Sequence, residues 1–374
     1  IMHNINLTVK IERAISELRR GGKVVISDNN TGISVLLMSS ELIQLDTVDT
    51  FSEIALSRPN IILSANRSKA IGIKSDNKPC SILINKNWSL SDIMSLSLPL
   101  SNQVRPEING VVSEKENGIV SASLLLLRQA RLLPSGLMSL ISAVSLDNID
   151  GWSFKNNLIK VDLEDIIGYE KASADSLIME VRAKVPIAYT DNCEIIVFRP
   201  KDGGDEHFCL IFGKTRKTSS LAKESPLVRI HSQCITGDIL NSLKCDCGEQ
   251  LKASIKLMAD ADEGVLIYLS QEGRDIGLLN KLRAYSLQEN GIDTVQANED
   301  LGFNDDERLY FPAKEILSQL KINKIRLITN NPKKVTHLTY LGINITERIP
   351  IKINPNKHNK KYLDTKQKKS GHLL

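Results

Sequence analysis

Aromatic side chains are scarce in this chain: Phe, Trp and Tyr make up 4% of its 374 residues. Proteins that grip single-stranded nucleic acid stack bases on aromatic platforms along a channel, and so small a supply argues against one. No apolar run approaches the ~18 residues of a membrane span. The start, Ile1-Met2-His3-Asn4-Ile5-Asn6-Leu7, also lacks the apolar core of a signal peptide. A soluble, cytoplasmic protein with no membrane partner is expected. No disulfide framework is visible either, since Cys80, Cys193 and Cys209 stand singly and read as small buried side chains. Gly213-Lys214-Thr215 resembles the end of a phosphate-binding P-loop, but Phe208 stands where that motif needs its first glycine, which excludes it.

Composition is otherwise ordinary for a globular chain, with 25% charged and 41% apolar residues. The net charge of +4 suits a small anionic substrate as well as nucleic acid and decides little. About two or three domains are expected from length alone. Residues 11–20 read as an amphipathic helix closed by Gly21-Gly22, with a strand over 23–27. Apolar runs at 33–38, 61–63 and 81–84 continue an α/β layer to about 104, and this half shows no charged constellation. From Arg105-Pro106 the composition shifts. A helical run over 120–133 stops at Pro134, an apolar stretch follows at 137–144, and 147–180 is mixed and polar. The expected organisation is a mixed α/β (α+β) fold with an N-terminal α/β domain over 1–104 and a connecting subdomain over 105–180. The functional domain covers 181–374, with a basic tail from about 352 that reads as solvated.

Strands are expected at 187–198 and 207–213, joined by a turn at 201–204. The centre of the chain is 229–250, which holds Cys234, Cys245 and Cys247. Leu251, Ile255 and Met258 then recur at helical spacing, so two thiols at a helix start and one on the incoming loop can converge on one ion. Three thiolates leave a fourth tetrahedral position for water or substrate, as in a catalytic zinc site. A closed knuckle completed by His231, or three merely buried thiols, are the other readings. Beyond the strand at 265–269 lies a glycine-flanked turn with Glu272, Gly273 and Arg274, either a ligand contact at a strand end or a surface ion pair. Carboxylates gather around Arg308 in 297–312, a pattern common in loops and caps. After the strand at 325–328, Thr329-Asn330-Asn331-Pro332-Lys333-Lys334 opens a helix whose amides and lysines would suit phosphate, or would form an ordinary solvated helix end.

In order, Arg-Ile-His-Ser-Gln-Cys-Ile-Thr-Gly-Asp, Lys-Cys-Asp-Cys-Gly-Glu-Gln-Leu, Gln-Glu-Gly-Arg-Asp-Ile-Gly-Leu-Leu-Asn-Lys, Asp-Asp-Glu-Arg and Leu-Ile-Thr-Asn-Asn-Pro-Lys-Lys closely resemble GTP cyclohydrolase II of riboflavin biosynthesis. The likeness runs from about Val181 into the tail. It implies hydrolysis of GTP to 2,5-diamino-6-(5-phosphoribosylamino)pyrimidin-4-one, formate and diphosphate. It also implies one Zn²⁺ on Cys234, Cys245 and Cys247, and Mg²⁺ with the triphosphate. GTP contacts are implied for Arg229, Ile230, His231, Ser232, Gln233, Gln250, Glu272, Gly273, Arg274, Thr294, Thr329 and Lys334. Asp306 matches the family's proton acceptor and Arg308 the arginine described as its nucleophile, although a guanidinium protonated up to a pKa above ~12 is better suited to clamping phosphate. A homodimer with no nucleic-acid partner is implied as well. A nucleotide- or nucleic-acid-binding protein with a structural zinc is the reading from a different class.

Two departures stand out. Gln233 occupies a place where the family has glutamate. Residues 11–26 also resemble the opening of 3,4-dihydroxy-2-butanone 4-phosphate synthase, often fused ahead of this enzyme, but its acidic magnesium-binding run is replaced by Ser27-Asp28-Asn29-Asn30-Thr31-Gly32. One carboxylate cannot make such a site. An N-terminal half without synthase activity is expected, with a bifunctional enzyme as the alternative.

Overall fold

The computed structural model describes residues 2–99, 104–216 and 225–359, with Leu363, Gln367 and Gly371. Most of the expected basic tail lies outside the described residues. The chain divides into two units, Ile1–Tyr169 with Leu279–Glu307, and Glu170–Leu278 with Arg308–Leu374. Among the described residues, no helix is long and apolar enough to cross a membrane.

The first unit opens with α1 (Met2–Arg19), whose Ile11, Ala14, Ile15 and Leu18 are buried at helical spacing. Gly21, at φ +79, turns the chain out of it. The strands are β1 (Val24–Asp28), β2 (Ile33–Ser39), β3 (Asn60–Leu63), β4 (Cys80–Leu83), β5 (Val111–Ser113), β6 (Ser135–Leu140) and β7 (Ile159–Asp162). They form one sheet in the order β5-β4-β3-β6-β2-β1-β7, antiparallel except for β1 with β7. Helices α2 (Thr47–Ala55), α3 (Ala65–Ala70), α4 (Leu90–Ser97), α5 (Ile119–Gln129), α6 (Ile149–Lys155) and α7 (Leu163–Asp175) connect them. Both faces of the sheet are covered. Val24, Ile26, Val35 and Leu37 share a core with α1 and α5, while Val25, Leu36 and Met38 share another with α2 and α4. That alternation is the period of two of a strand, and burial on both faces is why these strands read as unbroken apolar runs.

The segment 105–180 is not a body of its own. It supplies β5, β6 and β7, with β6 seated between β3 and β2. Pairings such as Leu36 with Ser139 join residues about a hundred positions apart, and composition carries no trace of them. Helix α5 ends at Gln129 rather than 133, because Arg131 takes a left-handed φ of +57 and its N–H returns to the Arg128 carbonyl. In the turn after β1, Asp28 accepts hydrogen bonds from the Asn30 N–H at 2.9 Å and the Thr31 hydroxyl at 2.8 Å.

The second unit has β8 (Leu177–Lys184), β9 (Cys193–Pro200), β10 (His207–Gly213), β11 (Leu227–Ser232), β12 (Glu263–Leu269), β13 (Lys324–Ile328) and β14 (Asn344–Ile349). Their order is β14-β13-β11-β12-β10-β9-β8, the first four parallel and the rest antiparallel. Helix α8 (Cys247–Asp260) links β11 to β12. Between β12 and β13 come α9 (Gly277–Glu289), α10 (Thr294–Asp300) and α11 (Phe311–Gln319), and α12 (Pro332–Tyr340) links β13 to β14. The crossover from β11 leads one way along the sheet and that from β13 the other. Such a reversal opens a crevice at the carboxyl ends of the two strands. Here it is widened, because the β11–β13 register has only two residue pairs, Leu227 with Arg326 and Val228 with Leu327.

Candidate active site

Strand β11 delivers Cys234 two residues past its end, and α8 begins with Cys247, Cys245 lying on the loop just before it. The three sulfurs lie within 4.8 Å of one another, Cys234 and Cys245 at 3.8 Å. Cys234 and Cys245 are buried. Hydrogen bonding with Cys234 pushes the Cys245 thiol up to about 11 and raises Cys247 as well. Soft donors in this number and spacing fit zinc. His231 does not join them: its Nε2 lies 3.1 Å from both oxygens of Asp238.

Two carboxylates shape the loop that carries Cys234. Asp238 accepts from the Cys234 N–H at 3.0 Å and the Tyr268 hydroxyl at 2.9 Å, and it bonds His231. Burial lowers the His231 pKa and keeps the ring neutral, so it can only donate to that carboxylate through Nε2–H. Glu272 accepts from the Ile235 N–H at 2.6 Å. Two glycines let the loop close on α8. A Cβ on Gly237 would stand 2.9 Å from Cys245 Sγ and 3.1 Å from Cys234 Sγ, and one on Gly248 would stand 2.1 Å from the Gly237 carbonyl oxygen.

Buried cations line the β11–β13 crevice. The carbonyls that a longer ladder would have paired are taken by side chains, Ile328 O by Arg229 Nη1 at 3.1 Å and Ile230 O by Lys334 Nζ at 2.8 Å. Lys334 is 5% exposed and lies over the Tyr310 ring, so it is not a solvated helix-end lysine, whereas Lys333 is exposed. Arg229 also donates to Gln250 Oε1 at 2.7 Å, and Gln250 in turn donates to Asp246. Its Nε is buried with no partner. Burial lowers the Arg229 pKa, opposed by the charges of Asp246 and Cys247, while Arg308 pushes it further down. Pro332 starts α12 and Asn331 caps it by accepting from the Lys333 N–H at 2.9 Å, while Thr329 Oγ1 accepts from Asn331 N at 3.1 Å.

The turn after β12 is strained. Gly273, Arg274 and Asp275 all have positive φ, at +64, +61 and +74, conformations that non-glycine residues hold only under constraint. Gln271 ties this turn to its neighbours, accepting from Ser232 Oγ at 3.3 Å and donating to the Leu309 carbonyl at 2.7 Å. The second unit contains Arg229, His231, Ser232, Gln233, Gln250, Glu272, Gly273, Arg274, Arg308, Thr329 and Lys334 as well as the three cysteines. The Ile230 side chain is fully buried in the core, and its carbonyl accepts from Lys334. Thr294 and Asp306 belong to the first unit.

A model of the family described as GTP cyclohydrolase II matches residues 179–350. A GTP cyclohydrolase-2 of Azospirillum brasilense is 36% identical over 372 residues, covering 97% of this chain and 94% of that one. The chain belongs to the GTP cyclohydrolase II family. It is an enzyme, a hydrolase of riboflavin biosynthesis, which sets aside the reading as a binding protein. A GTP cyclohydrolase-2 of Shigella dysenteriae is 47% identical over 195 residues, 52% of this chain and 96% of its own length. A riboflavin biosynthesis protein RibBA of Cytophaga hutchinsonii is 41% identical over 262 residues, 69% of this chain but only 63% of its own length.

Within this GTP cyclohydrolase II site, sequence reading missed Asp238, Gly237, Gly248 and Tyr268. Asp238 and Gly237 sit inside the motif that carries Cys234, and a carboxylate four residues after that cysteine was the available signal. Tyr268 lies on β12 and meets Asp238 only because β11 and β12 pair in register, His231 opposite Tyr268.

Proposed function

We propose that this enzyme opens the imidazole ring of GTP by hydrolysis with zinc held by Cys234, Cys245 and Cys247, giving 2,5-diamino-6-(5-phosphoribosylamino)pyrimidin-4-one, formate and diphosphate. The observation that carries this reading is the convergence of three thiols, with a buried Arg229 joined through Gln250 to Asp246, the residue between Cys245 and Cys247. Zinc there would supply Lewis acidity for attack of water on C8 of guanine. Three thiolates quench much of that acidity, so a protein base is needed. Asp306, an exposed carboxylate on the loop before α11, takes the proton in this reading.

Arg229, Arg308 and Lys334 bind the triphosphate, with the start of α12 supplying amides and Mg²⁺ accompanying the substrate. On this account Arg308 clamps phosphate as a cation. The carbonyls of Ile328 and Ile230 keep Arg229 and Lys334 aimed into the crevice before GTP arrives.

The test is release of formate and diphosphate from GTP with Mg²⁺, with and without a zinc chelator. Release of both, lost on chelation and restored by Zn²⁺, is expected; zinc-replete protein giving neither product overturns the reading. In the same preparation ribulose 5-phosphate should not be consumed. Asp28, the single carboxylate in the β1–β2 turn, is already committed to shaping that turn, which supports an N-terminal half without synthase activity. Turnover of that sugar would disprove it.

Lys334→Ala should raise KM for GTP about ten- to a hundredfold with kcat little changed, the loss of one charge-assisted contact worth ~1.5–3 kcal/mol in ground and transition states alike. A normal KM would remove Lys334 from the site.

A further inference from the structure

Residues 279–307 lie inside the stretch matched by the family, 179–350, yet fold as part of the first unit. Their attachment centres on Arg67 of α3, a guanidinium only 2% exposed. Its Nε donates to Leu96 O at 2.7 Å, its Nη2 to Ser95 O at 3.2 Å and Leu98 O at 2.9 Å, and its Nη1 to Asp300 O at 2.7 Å. The acceptors stand at the carboxyl ends of α4 and α10, where unpaired carbonyls concentrate negative charge. One buried cation thus closes two helices. Burial lowers its pKa to about 10, which leaves it charged at neutral pH.

The chain beyond α10 is held by the same surface. Ser64 Oγ donates to Gly302 O at 2.7 Å, Asn66 Nδ2 to Phe303 O at 2.8 Å, and Arg128 pairs with Glu307 at 2.6 Å. Glu307 also accepts from the Asn304 N–H at 2.8 Å. Phe303 is fully buried, and Gly302, at φ +95, is packed so closely that a Cβ would lie 2.8 Å from Ser64 Oγ. Asp300 to Glu307 is therefore anchored at both ends and in the middle. Asp306 is within it and Arg308 is the next residue.

We infer that Arg67, with Ser64, Asn66 and Arg128, is a positioning residue for ring opening: the N-terminal half is the mould for the segment that presents Asp306 and leads into Arg308. This rests on the roles given to those two residues above. It assigns the N-terminal half a task in the cyclohydrolase reaction that needs none of the missing acidic run. Lysine cannot replace Arg67, because one ammonium cannot span carbonyls on two helices as a planar fork does.

The test uses the full chain and measures kcat and KM for formate release, zinc content and melting temperature for R67K, N66A and R128Q. Phe51→Leu serves as a stability control, since Phe51 packs in the core shared with α2, a cluster that includes none of residues 300–307. R67K should lose at least about tenfold in kcat, in line with the cost of a slightly misplaced catalytic group. Its zinc content should be unchanged and its KM should rise no more than about threefold, because the three cysteines, Arg229 and Lys334 lie elsewhere in the chain and Arg308 alone of the triphosphate residues adjoins the segment. N66A and R128Q should show smaller losses of the same kind, and Phe51→Leu should melt earlier with wild-type kcat. Folded, zinc-replete R67K with wild-type kcat overturns the inference, as does an equal kcat loss in Phe51→Leu. If R67K fails to fold, the same kcat–KM split in N66A and R128Q decides. A wild-type chain that releases no formate overturns the proposed function and this inference with it, whereas an active wild type with unimpaired variants overturns the inference alone.

Discussion

Cys247→Ser is expected to abolish formate release and to strip the protein of zinc. The substitution keeps shape and removes a soft donor, and a serine hydroxyl stays protonated where a thiol yields a thiolate ligand. Cys247 is the first residue of α8, so its backbone is held by the helix whatever the side chain. The fold should persist with a reduced melting temperature, since bound metal contributes to stability. Lewis acidity is worth several kcal/mol to the transition state, and at 1.36 kcal/mol per factor of ten the rate should fall by about 10³-fold or more. Activity and zinc content measured on one preparation check it. Full zinc occupancy with retained turnover would show that Cys247 is not a ligand.

Gly248→Ala should have a large effect through a different cause. The added methyl would sit 2.1 Å from the Gly237 carbonyl oxygen, and the nearest further atoms are backbone. Backbone cannot step aside as a flexible side chain can, so the loop 235–239 must lift away from the start of α8. That loop is tied to Cys234 through Asp238, and the sulfur triangle opens with it. Zinc affinity should fall about a hundredfold, the upper end of what disturbing the groups around a ligand set costs. Competition with a chromophoric chelator measures it, and activity should return in excess Zn²⁺. Wild-type zinc affinity would mean that the two backbones are not held together as tightly as the structure places them.

The two substitutions differ in how far the sequence announced them. Cys234, Cys245 and Cys247 were legible because ligand spacing is local: two thiols at a helix start and one on a nearby loop have few ways to arrange themselves. The start of α12 was half legible. Pro332 at the first helical position marked the helix start, but Lys333 and Lys334 look equivalent in sequence and only one is buried. Strand β10 falls on the expected residues 207–213, because an apolar run between turn signals is a local property. Strand β9 starts at Cys193 rather than 187, since Ile187 closes a separate bridge with Thr190.

Long-range pairing was not legible. The segment 105–180 looked like a connector because β5, β6 and β7 are short, at most six residues each, and their partners lie far away in the chain. Arg67 gave no signal at all. An arginine in a polar stretch reads as solvated, and its burial depends on two helix ends meeting from positions 95–98 and 300.

The sequence by itself determined the family, the three thiols and the order of the motifs along the chain, all of which rest on residues near one another in sequence. Only the tertiary structure decided that β11 and β13 part after two pairs to open a crevice, and that Asp238 braces the Cys234 loop. It alone decided that residues 279–307 fold with the N-terminal half. The physical reason is the same in each case: a buried polar group must find a partner, and that partner can lie anywhere in the chain.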